Sequence, residues 1–245
     1  MKLQIDHLSV RFDGRAVLSD LSFALREGEF VSLLGPSGCG KSTILNVLAG
    51  IVQPAGGSVR VDGEVLTGAS QHFAYMPQED LLLPWKTILD NVCLYGTIHG
   101  ARKEAAEKAR PLFSVFGLAG YEDAYPDALS GGMRQRAAFL RTAMCQADIL
   151  LLDEPFGALD VITRGDMQDW LSAMRSQLGK TTLLVTHDID EAIYLSDRVL
   201  VLGGRPAAIR EEIIIEETAR SREWLYAQGD LRTHIHRLLR EGASA

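Results

Sequence analysis

The sequence has no apolar run long enough to cross a bilayer. Its longest uninterrupted apolar stretches, such as Ile149–Leu152 and Val199–Leu202, fall far short of the roughly 18–20 residues that a membrane-spanning helix requires. The first residues, Met1–Asp6, alternate apolar and polar side chains as a strand does. They lack the basic region and apolar stretch of a secretory signal. We therefore predict a cytoplasmic chain without a membrane span.

Cysteine and excess positive charge are also scarce. The three cysteines, Cys39, Cys93 and Cys145, have no C-x-x-C spacing, which argues against both a disulfide framework and a zinc site. Lysine and arginine number 25 against 32 aspartates and glutamates, so the net charge is −7 and no nucleic-acid partner is predicted. His234 and His236 form a His-x-His pair in a charged stretch, but no third ligand accompanies them, so a metal site there is not favoured.

The N-terminal region has the pattern of an antiparallel sheet. Hydrophobic residues make up 47% and charged residues 23% of the 245 residues, values typical of a globular protein. Leu3–Phe12 and Ala16–Leu25 have strand patterns joined by the turn dipeptide Asp13-Gly14, and Ser58–Val61 precedes a second Asp-Gly turn. These patterns predict an N-terminal antiparallel β subdomain.

The remaining sequence predicts an α/β core with a helical insertion. Strand patterns alternate with helical ones, which is typical of parallel βαβ units. The strands are predicted at Phe30–Leu34, Ile149–Leu152, Thr182–Val185 and Val199–Leu202, and the helices at Thr43–Ala49, Thr163–Leu178 and Ile189–Leu195. Residues between Trp85 and Ala147 are helical in character, with an Ala-rich stretch at Ala101–Ala109, a stop at Gly117 and a further helix from Ser130.

These patterns give a domain assignment. We expect one domain over residues 1–245, in which 1–84 and 148–220 form the core and the β lobe. Residues 85–147 form an inserted helical subdomain, and 221–245 form a C-terminal helical tail, with one helix over Ser221–Glu241.

A phosphate-binding loop follows the first core strand. The segment matches G-x-x-x-x-G-K-[ST] in full and lies between a predicted strand and a predicted helix, the context that this motif requires. The phosphate loop consists of Gly35, Pro36, Ser37, Gly38, Cys39, Gly40, Lys41 and Ser42, and Thr43 follows it. Its backbone N–H groups and Lys41 would hold phosphates, Ser42 would bind Mg²⁺, and the Cys39 side chain is expected to point away from the nucleotide.

Two acids follow a second core strand. Ile149–Leu152 runs directly into Asp153 and Glu154, which places both carboxylates at the carboxyl edge of the sheet, where such folds bind ligands. Asp153 would hold Mg²⁺ and Glu154 would polarise the attacking water. The alternative is that the two acids only cap the turn before Pro155.

A third motif suggests a second phosphate site. The Ser-Gly-Gly segment, Leu129–Met133, opens a predicted helix with unshielded N–H groups and a hydroxyl. One chain has little use for two phosphate sites on separate lobes. We therefore expect two copies to pair head to tail, so that Ser130, Gly131 and Gly132 of one copy close over a nucleotide held by the other.

With these motifs in this order, the sequence resembles the ATP-binding-cassette (ABC) ATPases, whose LSGGQ signature appears here as Leu129–Met133. The resemblance extends from Leu3 to about Ile215 and implies a P-loop NTPase, RecA-like α/β core. It also implies ATP and Mg²⁺ as ligands, and assigns roles to further residues. Glu154 is the general base, His187 contacts the γ-phosphate, Gln78 senses Mg²⁺ or water, Asp160 lies in the D-loop, and Phe12 stacks on adenine.

Each of these assignments has a structural alternative. A histidine after a strand, as at His187, is often structural, Phe12 could belong to the core, and Gln78 alone would be an ordinary loop residue. The order of the motifs along the chain favours the functional roles.

Two segments resemble the importer cassettes of the nitrate/sulfonate/taurine group. These are Asp153–Asp160 and Gln78–Trp85. The resemblance implies an ATP-bound homodimer, separate membrane permease subunits, a peripheral location at the inner face of the membrane and, indirectly, a solute-binding protein. Leu81, Leu82, Leu83 and Trp85 are candidate permease contacts, with burial in the helical subdomain as the alternative. An export or lipoprotein-release cassette, and a non-transport ATPase, are the alternative functions.

Overall fold

A computed structural model of the chain describes residues 1–243, apart from the side chains of residues 176, 177 and 243. The strands are β1 (Leu3–Phe12), β2 (Arg15–Leu25), β3 (Phe30–Leu34), β4 (Gly56–Val61), β5 (Glu64–Val65), β6 (Phe73–Met76), β7 (Ile149–Asp153), β8 (Thr181–Thr186), β9 (Arg198–Gly203) and β10 (Ala208–Ile214). The helices are α1 (Lys41–Leu48), α2 (Ile88–Val92), α3 (Leu94–Ile98), α4 (Arg102–Val115), α5 (Gly131–Ala143), α6 (Val161–Leu178), α7 (Ile189–Leu195), α8 (Arg222–Tyr226) and α9 (Gly229–Ala243). Within residues 1–243, no helix has the length and apolar character needed to span a bilayer.

The N-terminal strands form the antiparallel sheet that their alternation predicts. Its spatial order is β2-β1-β4-β5. Leu3, Ile5, Leu8 and Val10 of β1 are buried, and the turn that joins β1 to β2 has φ of 49° at Asp13 and 77° at Gly14. Positive φ at both central residues is what a tight hairpin turn requires. The Asp-Gly dipeptide was therefore a sound basis for predicting this hairpin.

A mostly parallel sheet forms the centre of the molecule. Its spatial order is β10-β9-β3-β8-β7-β6, with only β10 antiparallel to its neighbour. All five residues of β3 are buried: Val31 and Leu33 pack into the core beneath α1, whereas Phe30 and Leu34 pack into the core on the opposite face. A strand covered on both faces reads as a continuous apolar run.

The strand order decides which loops meet. β3, β8, β7 and β6 lie side by side and run in the same direction. Their carboxyl ends therefore share one edge of the sheet, the position at which open α/β sheets bind ligands. The phosphate loop leaves this edge from β3, Asp153 and Glu154 from β7, His187 from β8 and Gln78 from β6.

Two strands of the central sheet were not predicted from the sequence. β6 is four residues long and lies at an edge of the sheet, paired only with β7. β10 carries Arg210, Glu211 and Glu212, and its burial alternates between half-buried and exposed positions. Such short or charged edge strands lack the apolar run by which the inner strands are recognised.

Of two helical predictions, one differs from the structure and the other agrees with it. The predicted tail helix over Ser221–Glu241 is two helices, α8 and α9, because α9 begins afresh at Gly229, a residue of low helix propensity. Residues 244 and 245 of the predicted tail lie outside the described residues. The helix predicted from the Ala-rich stretch and its stop at Gly117 is α4, which ends at Val115, and burial of Phe113 in the core holds its last turn.

Candidate functional site

The phosphate loop wraps around the amino group of Lys41. Lys41 is only 4% exposed, and its Nζ donates hydrogen bonds to the carbonyl oxygens of Gly35 at 2.8 Å and Pro36 at 3.1 Å. Gly40 precedes α1 with φ of 103°, and a Cβ at this position would lie 2.9 Å from Leu18 Cδ2. Both the backbone conformation and the space therefore require glycine. The loop ends at the N-terminus of α1, where anions bind favourably.

The other residues of the phosphate loop differ in exposure. Ser37, Gly38 and Ser42 are exposed, and Pro36 and Thr43 are half-buried. Cys39 is 4% exposed and packs in the apolar core, and burial raises the pKa of its thiol. A thiol held protonated in the core is a poor nucleophile.

Asp153 joins the phosphate loop to the end of β7. Its Oδ1 accepts a hydrogen bond from Ser42 Oγ at 3.1 Å, and its Oδ2 accepts one from Tyr75 Oη at 3.0 Å. Burial raises the pKa of Asp153, while the hydrogen bonds from Tyr75 and Ser42 oppose that shift. A hydroxyl and a carboxylate oxygen side by side are the hard oxygen donors that Mg²⁺ prefers, so the donor set fits this ion.

The hydrogen bond from Tyr75 to Asp153 was not predicted from the sequence. Tyr75 lies on β6, and burial followed by the charge of Asp153 raises the pKa of its phenol, which therefore stays a hydrogen-bond donor at neutral pH. Because β6 was not recognised as a strand, its pairing with β7 was unknown. The available signal was the short apolar run Phe73–Met76 directly before Pro77.

Glu154 meets two other predicted site residues. Its Oε2 lies 3.0 Å from His187 Nδ1, and its Oε1 lies 3.9 Å from Lys41 Nζ. Its backbone has φ of 45°, and its N–H donates to the carbonyl of Val185 at 2.9 Å. A left-handed conformation is uncommon for a side-chain-bearing residue and is concentrated at functional sites. The structure thus places a carboxylate, an imidazole and an ammonium around one point at the edge of the sheet.

Gln78 lies beside these residues. Its side chain is exposed, and a Cβ on Gly157 would lie 3.3 Å from Gln78 Nε2. Gln78 also lines a cavity of about 320 Å³ that Gly131 and Leu159 border from the other side. Among residues 1–243, no hydrogen bond joins Gln78 to Ser42 or Asp153. Gln78 as a ligand of Mg²⁺ therefore stays a prediction.

Two arginines of α5 fix the chain after Gln78, and the sequence did not reveal them. Arg134 Nε donates to Asp80 Oδ2 at 3.1 Å. Arg141 donates to the carbonyl of Leu81 at 2.7 Å and to that of Asp80 at 2.5 Å. These contacts join the glutamine loop, Gln78–Leu83, to the helix that begins at the Ser-Gly-Gly segment, so the two segments are expected to move together.

The apolar residues after Gln78 divide into two groups. Leu82 is 7% exposed and belongs to the core, so its prediction as a surface contact is wrong because its side chain faces inward. Leu81 and Trp85 are 56% and 71% exposed. Leu83 is half-buried, and its backbone N–H donates to Asn91 Oδ1 at 2.7 Å.

The Ser-Gly-Gly segment presents its start to solvent. Ser130 caps α5 by accepting a hydrogen bond from the Met133 N–H at 3.3 Å, and Ser130 and Gly131 are exposed. Gly132 is buried against α6, where a Cβ would lie 2.5 Å from Thr163 Cγ2. In the described part of the chain, no hydrogen bond or ion pair joins this segment to Lys41. Ser130 and Gly131 therefore remain open to solvent in the single chain.

Asp160 and Phe12 lie at the margins of the site. Asp160 caps α6 by accepting hydrogen bonds from the N–H groups of Ile162 and Thr163, both at 3.1 Å, and the hydrogen bonds with Thr163 lower its pKa. Phe12 ends β1 and is 46% exposed. An aromatic face this open is available for stacking.

His234 lies in a surface contact. Its Nε2 lies 2.8 Å from Glu211 Oε1, and its Nδ1 lies 3.0 Å from an amino group of Arg237. Both ring nitrogens thus have protein partners, and the contact with Glu211 joins α9 to β10.

Comparison with known proteins gives concordant matches. The family model described as ABC transporter matches residues 18–157. The aliphatic sulfonates import ATP-binding protein of Pseudomonas syringae is 45% identical over 214 residues, 87% of this chain and 84% of that protein. The taurine import ATP-binding protein of Pseudomonas aeruginosa is 42% identical over 234 residues, 94% and 87% of the two chains. The formylaminopyrimidine import ATP-binding protein of Halalkalibacterium halodurans is 48% identical over 191 residues, 78% and 74% of the two chains.

A solved structure has a similar fold. The ATP-binding cassette MJ0796, in a dimeric post-hydrolysis state bound to ADP and Pi, superposes with a TM-score of 0.73 at 26% identity. The match covers 88% of this chain and 99% of that one. The α/β cassette fold predicted from the sequence is therefore confirmed.

Proposed function

Because the chain belongs to the ABC transporter family, we propose that it is the ATP-binding and ATP-hydrolysing subunit of an importer for a small solute. The observation that carries the chemistry is the meeting of Lys41, Glu154 and His187 at the carboxyl edge of the sheet. Relatives that align with most of this chain are named as import subunits for sulfonates, taurine and formylaminopyrimidine. A sulfonate, taurine or a related small anion is therefore the favoured class of solute.

The site residues divide the work of hydrolysis. The backbone N–H groups of the phosphate loop and Lys41 bind the phosphates of ATP, and Glu154 accepts the proton of the attacking water. His187 orients Glu154 and the γ-phosphate. Ser42 and Asp153, with Gln78, would hold Mg²⁺, which neutralises charge on the phosphates when bound.

Two copies of the chain form the working site. The exposed Ser130 and Gly131 of one copy would close over ATP on the phosphate loop of the other, with Asp160 at the boundary between them. A ligand shifts such an equilibrium only by binding one state better. ATP must therefore bind the closed pair more tightly, and the contacts of the Ser-Gly-Gly segment supply this difference.

Membrane permease subunits are the second partner. Leu81 and Trp85 are exposed large apolar side chains beside the glutamine loop, and clustered exposed apolar residues mark interaction sites. Through this contact the chain would lie at the inner face of the membrane, and a solute-binding protein would act on it indirectly. We assign residues 85–147 to the subdomain that contacts the permease, 1–84 and 148–220 to the core and β lobe, and 221–245 to the tail.

The test is ATPase activity in liposomes with a candidate permease, with and without a candidate solute-binding protein and candidate solutes. We expect activity to rise several-fold only when the binding protein and one solute are both present. Activity that is insensitive to both would favour an export or non-transport ATPase instead.

A smaller effect is expected from Phe12→Ala. Stacking of a base on an aromatic ring contributes about 1 to 2 kcal/mol, so ATP affinity should fall by roughly five- to thirtyfold. Titration with a fluorescent ATP analogue measures this loss of affinity. Phe12→Tyr should keep the affinity, and Ile98→Ala, at another exposed apolar side chain, is the control. Unchanged affinity in Phe12→Ala would place adenine elsewhere.

A further inference from the structure

A buried polar network fixes both neighbours of His187. Thr186 is 1% exposed, and its hydroxyl donates a hydrogen bond to Glu191 Oε2 at 2.5 Å. The same hydroxyl accepts a hydrogen bond from the N–H of Asp188 at 3.0 Å. The Asp188 carboxylate in turn caps α7 by accepting from the N–H groups of Asp190 at 2.8 Å and Glu191 at 3.1 Å. The side chain of His187 itself is half exposed. The position of its backbone is therefore set by the hydrogen bonds of its two neighbours, Thr186 and Asp188.

Glu191 also joins this network to α6. Its side chain is 4% exposed, and its Oε1 accepts a hydrogen bond from Gln168 Nε2 at 3.2 Å. The amide oxygen of Gln168 accepts a hydrogen bond from Arg222 at 3.0 Å. This contact fixes the orientation of the amide, because a flipped amide would point its NH₂ group at the guanidinium. Both oxygens of Glu191 therefore face hydrogen-bond donors, the arrangement that suits an ionised carboxylate.

The network continues to the start of α6. Arg164 donates to the carbonyl of Leu159 at 3.1 Å, directly before the cap residue Asp160, and its other amino group lies 3.8 Å from Asp188 Oδ2. These polar contacts connect Glu191 with the link between β8 and α7, which contains His187. Through Arg164 they also reach the loop before α6, which we place at the boundary with the second copy.

We propose that Glu191 is a positioning residue for ATP hydrolysis, whose buried carboxylate acts through Thr186 to hold His187 against Glu154. The inference rests on the proposed function and extends it. Glu191 touches none of Lys41, Glu154 or His187 among the described contacts. Its effect on the reaction passes through the geometry of the link between β8 and α7.

The charge state of Glu191 gives this role a pH signature. Burial raises its pKa to about 7, with the hydrogen bonds from Thr186 and Gln168 and the charge of Arg164 opposing the rise and Asp188 adding to it. When Glu191 is protonated, one of its oxygens becomes a donor facing Thr186 or Gln168, which are themselves donors there. The charge-assisted hydrogen bond from Thr186 is then replaced by a weaker neutral contact, so catalysis should fall as the pH drops through about 7.

The experiment compares Thr186→Val, Thr186→Ser and Glu191→Gln with the parent chain in ATPase assays from about pH 6 to about pH 8. Misplacing a group near the reacting atoms by about 1 Å costs up to 10²-fold. We expect Thr186→Val and Glu191→Gln to lower kcat about tenfold with KM for ATP within about twofold, and Thr186→Ser to retain kcat. The double variant should be no slower than either single variant.

The ratio of parent to Glu191→Gln activity separates Glu191 from other titrating groups. Because protonated Glu191 and glutamine both lack the charge, the ratio should approach one at low pH and rise toward high pH. Titrating groups that Glu191 does not influence cancel in this ratio. A ratio independent of pH would overturn the proposal.

Ser196→Ala is the matched control. Ser196 directly follows α7, and its Oγ lies 2.5 Å from that of Ser32, with both side chains fully buried. The variant removes a buried hydrogen bond at the end of the same helix without touching the link at His187. We expect a lower Tm and an unchanged kcat below that temperature, whereas equal losses of kcat in Ser196→Ala and Thr186→Val would overturn the positioning role.

A second measurement makes a failure of this inference distinguishable from a failure of the proposed function. If the parent chain hydrolyses ATP and Thr186→Val has the parent kcat, the inference fails and the proposed function stands.

If the parent is inactive, the proposed function fails, and the NMR signals of the His187 ring decide the inference. A shift in Thr186→Val but not in Thr186→Ser supports it, and identical signals in all three proteins overturn it. Should Glu191→Gln not fold, the Thr186 pair gives the answer alone.

Discussion

Glu154→Gln is expected to lower kcat for ATP hydrolysis by at least about 100-fold while ATP remains bound, because general-base catalysis contributes about 10²- to 10⁴-fold. Glutamine keeps the size of the side chain and can still accept a hydrogen bond beside His187, whose Nδ1 lies 3.0 Å from Glu154 Oε2. An amide, however, does not take up a proton from water at neutral pH. The variant should therefore hold ATP in the closed pair without releasing it.

Two measurements check this result. Phosphate release gives the turnover number, and size-exclusion chromatography with ATP and Mg²⁺ should show the variant as a dimer and the parent chain mainly as a monomer. Glu107→Gln, which removes a negative charge from an exposed position on α4, is the control and should behave as the parent does. Turnover at the parent rate in Glu154→Gln would mean that another group accepts the proton.

Lys41→Ala is expected to weaken ATP binding by roughly 30-fold or more, since hydrogen bonds to a charged group are worth about 2 kcal/mol. The Lys41 ammonium lies inside the phosphate loop, within hydrogen-bond distance of the carbonyl oxygens of Gly35 and Pro36. A cation at this position attracts the β- and γ-phosphates. Equilibrium titration with ATP measures the loss directly.

The loss of ATP affinity must be distinguished from the effect of a disordered phosphate loop. Lys41 is buried, so its removal changes packing as well as charge, and Tm is measured alongside affinity. Lys108→Ala is the matched control because Lys108 pairs with Glu104 on an exposed helix face, where an ion pair contributes little. Parent-like ATP affinity in a folded Lys41→Ala protein would exclude Lys41 from the phosphate site.

Local backbone requirements made much of the fold predictable. The Asp13-Gly14 turn needs positive φ at both residues, and Gly40 needs φ of 103° before α1. Few residue types satisfy such conditions, so the sequence carries a strong signal there. The inner parallel strands were equally clear because burial on both faces demands a continuous apolar run. Edge strands such as β6 and β10 meet neither condition and were missed.

The candidate site, like the fold, was only partly predictable from the sequence. Lys41, Ser42, Asp153 and Glu154 were selected because the chemistry of phosphate binding fixes residue type and spacing over a few positions. The contact of Tyr75 with Asp153 joins residues 78 apart, and those of Arg141 with the glutamine loop join residues 60 and 61 apart. No spacing rule applies across such distances, because the geometry depends on which strands become neighbours.

The sequence by itself determined the family, the phosphate loop and the alternation of strands and helices, since each depends on residues close together in the chain. Only the tertiary structure decided which side chains meet. The order of β3, β8, β7 and β6 brings Lys41, His187, Glu154 and Gln78 to one edge of the sheet, and the packing of α6 against α7 encloses Glu191 between Thr186 and Gln168. The physical reason is that side-chain contacts are set by the packing of whole elements, whereas turns and loops are set by the torsion angles of their own residues.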